Sequence, residues 1–293
     1  MDVIEDGLDA RAWDAAVSAH GAGLQQSWSY GDVAETLGAE THRFVLRDKG
    51  KDVAYAQALV RRWGVRVALV SGGPVWAGGA RDDTRALAIR ILRQTLRSRT
   101  KVQLVTPDRV DRWGLPLVSS AHAARLSLSG NINYLRGNLN VKWRNRLTRA
   151  ETQGLRVRPG DAACLEWLLA QEAQQRRTRG YRGLPVRFLA EWCRDLTRFG
   201  LWEVRASKTR VAAILVGRHG AGVTYLCGHT TPLGRSISAH NMLIWRAIKD
   251  MAEAGSKYLD LGLVETETGA GLARFKLGTG AKVTRFGSTQ LSF

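Results

Sequence analysis

The sequence predicts an α+β protein made of two tandem copies of one domain, each a mostly antiparallel sheet flanked by helices. Three observations carry this prediction. The stretches "RFVLRDKGKDVAYAQALVRRWGVRVALVSGG" (43–73) and "LWEVRASKTRVAAILVGRHGAGVTYLCGH" (201–229) share one pattern of strands and turns. Each leads through a loop into an amphipathic helix and then a further strand. The offset between the copies stays at about 157 residues, which marks a duplicated domain and not an array of short repeats.

Each copy reads as strand, polar turn ("DKGK", "SKTR"), strand, Gly-containing turn and a third strand. In the first copy the helix lies in "DDTRALAIRILRQTLRSR", with Leu87 and Ile91 on its inward stripe, and the next strand is "KVQLVTP". In the second it lies in "SAHNMLIWRAIKDMAEAG", with Met242, Leu243, Trp245 and Ile248 facing inward, and the strand is "KYLDLGL". A meander followed by a helix and a strand is an α+β layer architecture. Between the copies, "NLNVKWRNRLTRAETQGLRV" (138–157) places Leu139, Trp143, Leu147 and Ala150 on one helical stripe. Asn138, Lys142, Asn145, Arg146 and Arg149 form the adjacent face, and Gly154 stops the helix. The expected domains are 1–155 and 156–293.

Composition narrows the partners. The chain has 293 residues, 44% of them hydrophobic and ten of them Trp, enough for a well-packed core. Forty-four Lys and Arg against 26 Asp and Glu give a net charge of +18, which favours nucleic acid, phosphorylated substrates or an anionic membrane face. The N-terminus "MDVIEDGLDARAWDAA" has no signal-peptide core and the apolar runs are strand-sized. The expected location is therefore cytoplasmic, with peripheral contact at the inner membrane face allowed by the charge. Cys164, Cys193 and Cys227 are scattered without a CxxC, so they read as core thiols and neither a disulfide framework nor a zinc site. Two packed domains in one chain suit a monomer.

Four segments resemble the Fem family of aminoacyltransferases, the FemAB/FemX-like peptidoglycan-bridge enzymes. They are "QSWSYG" (26–31), "NLNVKWRNRLTRAETQGL" (138–155), "YLDLGLVETE" (258–267) and "GLARFKLGTG" (271–280). The stretch "RRTRGYRGLP" (176–185) is similar to the family's second domain. The resemblance implies two tandem GNAT-like acyltransferase domains, the second carrying the Phe-Lys motif. It further implies a transfer of an amino acid from aminoacyl-tRNA to an amine, on a cell-wall precursor or a peptide-like metabolite. Aminoacyl-tRNA is then a co-substrate, and no other cofactor is implied.

Aminolysis of an activated ester needs the donor carbonyl and the amine held together, a proton acceptor, and stabilisation of the oxyanion. It needs neither a metal nor a covalent nucleophile, and the chain has no Gly-x-Ser-x-Gly elbow, metal motif or P-loop. By resemblance Lys276 stabilises charge at the reacting carbonyl, and Phe275 walls the site. The strand "TYLCGH" alternates, which puts Tyr225, Cys227 and His229 on one face, with His229 a candidate proton relay. Asp260 and Glu265 are candidates to orient the ammonium or take its proton, and the general base stays open between these groups. Lys276, Phe275, Asp260 and His229 are thus the expected catalytic set, with Trp28, Tyr30, Tyr225, Arg274 and Glu265 as substrate-binding residues. Lys142, Asn145, Arg146 and Arg149 are the expected nucleic-acid or phosphate-binding face, because amides among cations add directional hydrogen bonds.

Two departures qualify the resemblance. The loop "HTTPLGRSISAHN" (229–241) has one Gly, and the first-domain loop "SGGPVWAGGARDD" (71–83) leads into an acidic helix start, so neither suits a CoA pyrophosphate. Where relatives gripping a nucleotide-linked acceptor carry a basic residue after "Trp-x-Tyr-Gly", this chain has Ala34 and Glu35. Two other functions compete: an acyl-CoA or carrier-protein-dependent N-acyltransferase of the same fold, and a non-catalytic nucleic-acid or membrane-surface binder.

Overall fold

A computed structural model of the chain describes all residues except 108, 110, 182 and 266–268. The last two residues of the "YLDLGLVETE" segment, Thr266 and Glu267, and Arg182 of "RRTRGYRGLP" therefore lie outside the described residues. The chain divides into two compact units, Met1–His122 with Thr284–Phe293, and Ala123–Val283.

In chain order the first unit holds β1 (Asp2–Glu5), α1 (Ala10–Ala19), α2 (Trp28–Thr36), β2 (Glu40–Asp48), β3 (Lys51–Trp63), β4 (Val65–Ser71), β5 (Val75–Trp76), α3 (Asp82–Arg97), β6 (Val102–Thr106) and β7 (Leu115–Val118). The chain then runs through β8 (His122–Ser127), α4 (Ile132–Gly137), α5 (Val141–Thr152), β9 (Val157–Pro159), α6 (Ala162–Arg179), α7 (Val186–Trp192), β10 (Phe199–Ala206), β11 (Thr209–His219) and β12 (Gly222–Thr230). It ends with α8 (Pro232–Ser236), α9 (Ala239–Glu253), β13 (Tyr258–Leu263), α10 (Ala270–Leu277), β14 (Lys282–Arg285) and β15 (Thr289–Ser292).

The duplication is visible in both sheets. β2, β3 and β4 form an antiparallel meander, and β6 then pairs β4 in parallel. β10, β11 and β12 form the second meander, and β13 pairs β12 in parallel. A parallel pair needs a crossover, and α3 and α9 supply it. The full orders are β1-β2-β3-β4-β6-β15-β7, with β5 on β3, and β14-β8-β13-β12-β11-β10-β9.

Three details differ from the sequence reading. The units divide near residue 122 and not at 155, because β8 pairs β13 while α5 packs beneath α9 through Trp143 and Leu147. The last strand, β15, leaves the second half of the chain to pair β6 and β7. In α3 the buried stripe is Ala88, Ile89, Leu92 and Leu96, one position on from Leu87 and Ile91, which are half-buried. The α9 stripe is as expected for Leu243, Trp245 and Ile248, with Met242 partly buried against the same core.

Candidate active site

In the second unit β12 and β13 pair over only three residues, Gly222↔Tyr258, Val223↔Leu259 and Thr224↔Asp260. Beyond Thr224 and Asp260 both strands continue without pairing each other. Each is bulged where the ladder ends: Leu226 is extra between the β11 pairings of Tyr225 and Cys227, and two residues of β13 face one of β8 between Asp260 and Leu263. Bulges re-aim side chains and open a ladder, and they concentrate beside functional sites. Past this point the two strands no longer pair, which leaves a gap, the cleft, between their ends, and Tyr225 is the first β12 residue beyond the last pair.

The helix α10 meets the end of β13, where Lys276 reaches the Leu263 carbonyl. Its sequence buries Ala273 and Lys276, three residues apart, on one face. The α10 C-terminus is fixed to the start of α5, where the Asn140 N–H donates to the Gly278 carbonyl at 2.9 Å. The same contact brings Phe275 against Trp143, ring centroids 5.8 Å apart. The two segments "NLNVKWRN" and "GLARFKLGTG" therefore form one packed corner.

Lys276 is 9% exposed, and its Nζ donates to the Leu263 carbonyl at 2.7 Å. That carbonyl is placed by a local device. Asp260 Oδ1 accepts from the Gly262 N–H at 2.7 Å, and Gly262 takes φ +77°, a conformation that L side chains rarely adopt. Asp260 Oδ2 lies 3.5 Å from the Arg125 guanidinium, which in turn sits 4.4 Å over the Tyr258 ring. Burial lowers the Lys276 pKa, while Asp260 and then Glu265 oppose that shift. The result is a desolvated cation with one hydrogen bond to the described residues, beside two carboxylates.

Tyr225 does not share a face with Cys227 and His229. Tyr225 pairs Val216 while Cys227 pairs Leu215, so the bulge at Leu226 turns them to opposite sides of the sheet. Tyr225 faces α9, where its hydroxyl lies 3.4 Å from His240 Nε2. His240 Nδ1 lies 2.8 Å from Thr230 Oγ1, and the His240 ring meets Phe275 edge-on at 5.2 Å. Burial, then the neighbouring His229, lowers the His240 pKa to about 4, so the ring is neutral at neutral pH. Burial also raises the Tyr225 phenol well above its usual value, which keeps it protonated. His229 faces α6, edge-on to Trp167 at 5.4 Å, with its buried Nδ1 making no hydrogen bond to the described protein atoms. Burial, then Arg235 and Arg179, lowers its pKa.

A further polar cluster lies on the α6 side. Glu172 is buried on α6 and accepts from the Tyr181 hydroxyl at 2.7 Å, with Arg176 Nε 3.7 Å away. Arg176 also donates to the Leu184 carbonyl at 2.7 Å and to that of Gly183, which clasps the loop after α6. Glu172 and Tyr181 both act on the Tyr225 phenol. Sequence reasoning missed Glu172, Arg176, His240 and Arg125. The Glu172/Arg176 spacing of four was a signal available in the sequence, but such pairs are common on solvated helices.

The remaining expected residues have the following surroundings. Trp28 and Tyr30 belong to the first unit. Trp28 lies 3.6 Å under the Arg43 guanidinium, and Tyr30 packs with Ala34, Ala39, Leu59 and Leu69. In the second unit, Arg274 is exposed with its Nε on the Ala270 carbonyl at 3.3 Å, and Glu265 is exposed. Lys142, Asn145, Arg146 and Arg149 are all exposed on α5, opposite its buried Trp143, Leu147 and Ala150. The three cysteines are free and buried. Among the described residues no group of His, Cys, Asp or Glu is placed to hold a metal ion, and no helix is long and apolar enough to cross a membrane.

Residues 140–280 match the family described as an acetyltransferase (GNAT) domain. Among solved structures the chain is similar to FemX, with a TM-score of 0.77 at 14% identity, covering 98% of this chain and 96% of that one. It is also similar to a tandem GNAT protein from the clavulanic acid biosynthesis pathway (TM-score 0.53, 11% identity, 99% and 98% covered). A third is the C-terminal domain of a putative lysylphosphatidylglycerol synthetase from Agrobacterium fabrum (TM-score 0.53, 13% identity, 94% and 90% covered). No curated protein matches the chain in sequence. The chain has the Fem-like tandem GNAT fold, and its matched domain is that of an acyltransferase.

Proposed function

We propose that this GNAT-type acyltransferase moves an amino acid from aminoacyl-tRNA to an amine, with formation of an amide. The observation that carries the reading is Lys276, a buried ammonium held on the Leu263 carbonyl at the open end of the β12/β13 cleft. A cation desolvated there stabilises an oxyanion far more than it would in water. Asp260 is a positioning residue in this reading: through Gly262 it sets the carbonyl that holds Lys276.

The amine attacks the ester carbonyl carbon, the C–N bond forms, and the carbonyl oxygen gains charge facing Lys276. The C–O bond to the ribose then breaks. The Tyr225 hydroxyl, backed by neutral His240, relays the proton: it takes the one lost by the amine as it passes its own to the leaving oxygen, and so ends protonated as it began. Phe275, wedged between Trp143 and His240, closes the cleft to water.

A tRNA donor is supported by the loop after β12. A CoA pyrophosphate needs several backbone N–H groups aimed at it. Here Thr231 N–H donates to Val211, Arg235 to Thr231, Ile237 to Leu233, and Ser238 to Arg235, while Gly234 N–H is taken by the Thr231 hydroxyl. The exposed Lys142, Arg146 and Arg149 supply sequence-independent phosphate contacts. The acceptor is an amine on a cell-wall precursor or peptide-like metabolite. The test is calorimetry with acetyl-CoA beside filter binding of an aminoacyl-tRNA pool. Binding of the charged pool with no heat from acetyl-CoA supports the tRNA donor. Micromolar acetyl-CoA binding would replace it with an acyl-CoA donor at the same site.

A further inference from the structure

One end of the first unit's sheet presents a row of exposed apolar side chains among cations. Its position follows from strand register alone. Trp63 faces Val65 across the β3/β4 hairpin, Val67 pairs Val102 at the start of β6, Gln103 pairs Ser292 at the end of β15, and Leu291 pairs Leu115 at the start of β7. The hairpin tip, the start of β6, the end of β15 and the start of β7 thus share one rim. Five adjacent strands make that rim about 19 Å wide.

Along it Trp63 is 60% exposed, Val65 42%, Phe293 56% and Leu115 65%. Leu117 and Val118 continue the apolar surface along the edge strand, at 54% and 59%. Arg62, Arg66, Arg97, Lys101 and Arg112 are exposed around them. Side-chain hydrogen bonds tie the strand ends together beneath this surface. The buried Gln290 side chain accepts from the Trp113 and Gly114 N–H groups at 2.6 and 3.0 Å and donates to the Asp111 carbonyl at 2.6 Å. Arg93 Nε holds Ser292 Oγ at 2.9 Å. Of nearby carboxylates, Glu40 pairs with Arg66 and Asp111 accepts from Trp76 Nε1.

We propose that this rim docks on an anionic lipid bilayer. An exposed Trp with aliphatic side chains suits the headgroup boundary, and flanking Arg and Lys suit its phosphates. A second copy of the chain fits poorly, because a two-fold contact through the rim would bring its own cations together. Pro116 also removes a backbone donor from the edge strand, which blunts strand-on-strand pairing. Nucleic acid would use the cations and stack on Trp63 but has no use for Val65, Leu115, Leu117 and Val118. The inference does not depend on the donor or acceptor of the transfer reaction.

The experiment keeps charge constant, since a net charge of +18 draws any basic protein to anionic vesicles. The full chain and its Trp63→Ser/Leu115→Ser variant are sedimented with vesicles of phosphatidylcholine, with and without the anionic lipid phosphatidylglycerol. The variant is expected to lose about tenfold or more in partitioning to the anionic vesicles while its affinity for bulk RNA stays within about twofold. Because the native cysteines are buried, a Val65→Cys protein takes an environment-sensitive fluorophore at one site. Its emission is expected to shift to the blue on adding anionic vesicles, a readout that holds even where the double variant folds poorly. Equal vesicle binding by the folded variant, parallel loss of RNA binding, or no emission shift overturns the proposal. So does a dimer in dilute solution that the double substitution dissolves.

Discussion

Lys276→Met removes the ammonium but keeps most of the stem volume, so it isolates the charge. Removing one preorganised oxyanion donor slows turnover by about 10²–10³, or roughly 2.7–4 kcal/mol of transition-state stabilisation. The fold is expected to change much less. The substitution gives up a charged hydrogen bond to the Leu263 carbonyl, about 1.5–3 kcal/mol, but also removes the cost of burying the ammonium. These terms nearly cancel, so the melting temperature should move by only about 3 °C. The assay is single-turnover amide formation at saturating donor, with donor affinity measured separately. The charge-stabilising role predicts a collapsed rate with donor affinity within about threefold. Because burial lowers the Lys276 pKa, the wild-type rate should also fall as pH rises through that depressed value, and Lys276→Met should lose this alkaline limb. A variant rate within about threefold of wild type would refute the role given to Lys276.

Three other outcomes follow from the same physics. His219 is buried with Nε2 2.8 Å from Thr224 Oγ1, and burial, aided by Arg125, lowers its pKa to about 3. The unfolded chain therefore binds a proton that the folded one refuses between about pH 6.5 and 3. Stability should be lost as pH falls through that window, by at most roughly 5 kcal/mol, and His219→Gln should flatten the loss in acid-denaturation curves. Gly31 is an α2 position whose added Cβ would meet Gln57 Oε1 at 2.6 Å and Thr41 Cγ2 at 2.9 Å, so Gly31→Ala should cost about 1–3 kcal/mol in urea unfolding. Replacing Lys142, Arg146 and Arg149 together by Ala should lower the slope of log K against log salt for RNA by about 2 to 3, visible in filter binding; an unchanged slope would remove α5 from the RNA contact.

Much of the fold was legible because its signals are local. The hairpin turns carry positive φ at Lys49, Gly50 and Ser207, where short polar sequences announce them. The α5 stripe of Trp143, Leu147 and Ala150 is buried as its spacing predicts, and Leu139 is buried just before the helix. What failed to show was long-range or single-residue. The return of β15 to β6 depends on pairings 180 or more residues apart, roughly the separation at which sequence pattern says nothing. The bulge at Leu226 is one extra residue, yet it reverses the faces of Tyr225 and His229. The "QSWSYG" segment reads as substrate contact in the sequence, and the structure adds that Gln26 bonds the Gln57 and Ser71 backbones and that Trp28 lies against Arg43. Its residue types serve a buried network as well as they would a ligand. Nothing in the sequence pattern marks His240, and only the fold sets it between Tyr225 and Phe275.

The central claim is that the cleft between β12 and β13 transfers an amino acid from tRNA. The most direct measurement is single-turnover incubation of the protein with a pool of tRNA carrying labelled amino acids and a panel of primary amines, resolved by mass spectrometry. The account predicts an amide product from one or a few amino acids, lost in Lys276→Met, with deacylated tRNA released in equal amount. Amide formed only when an acyl-CoA is supplied, or labelled product undiminished in Lys276→Met, would contradict it.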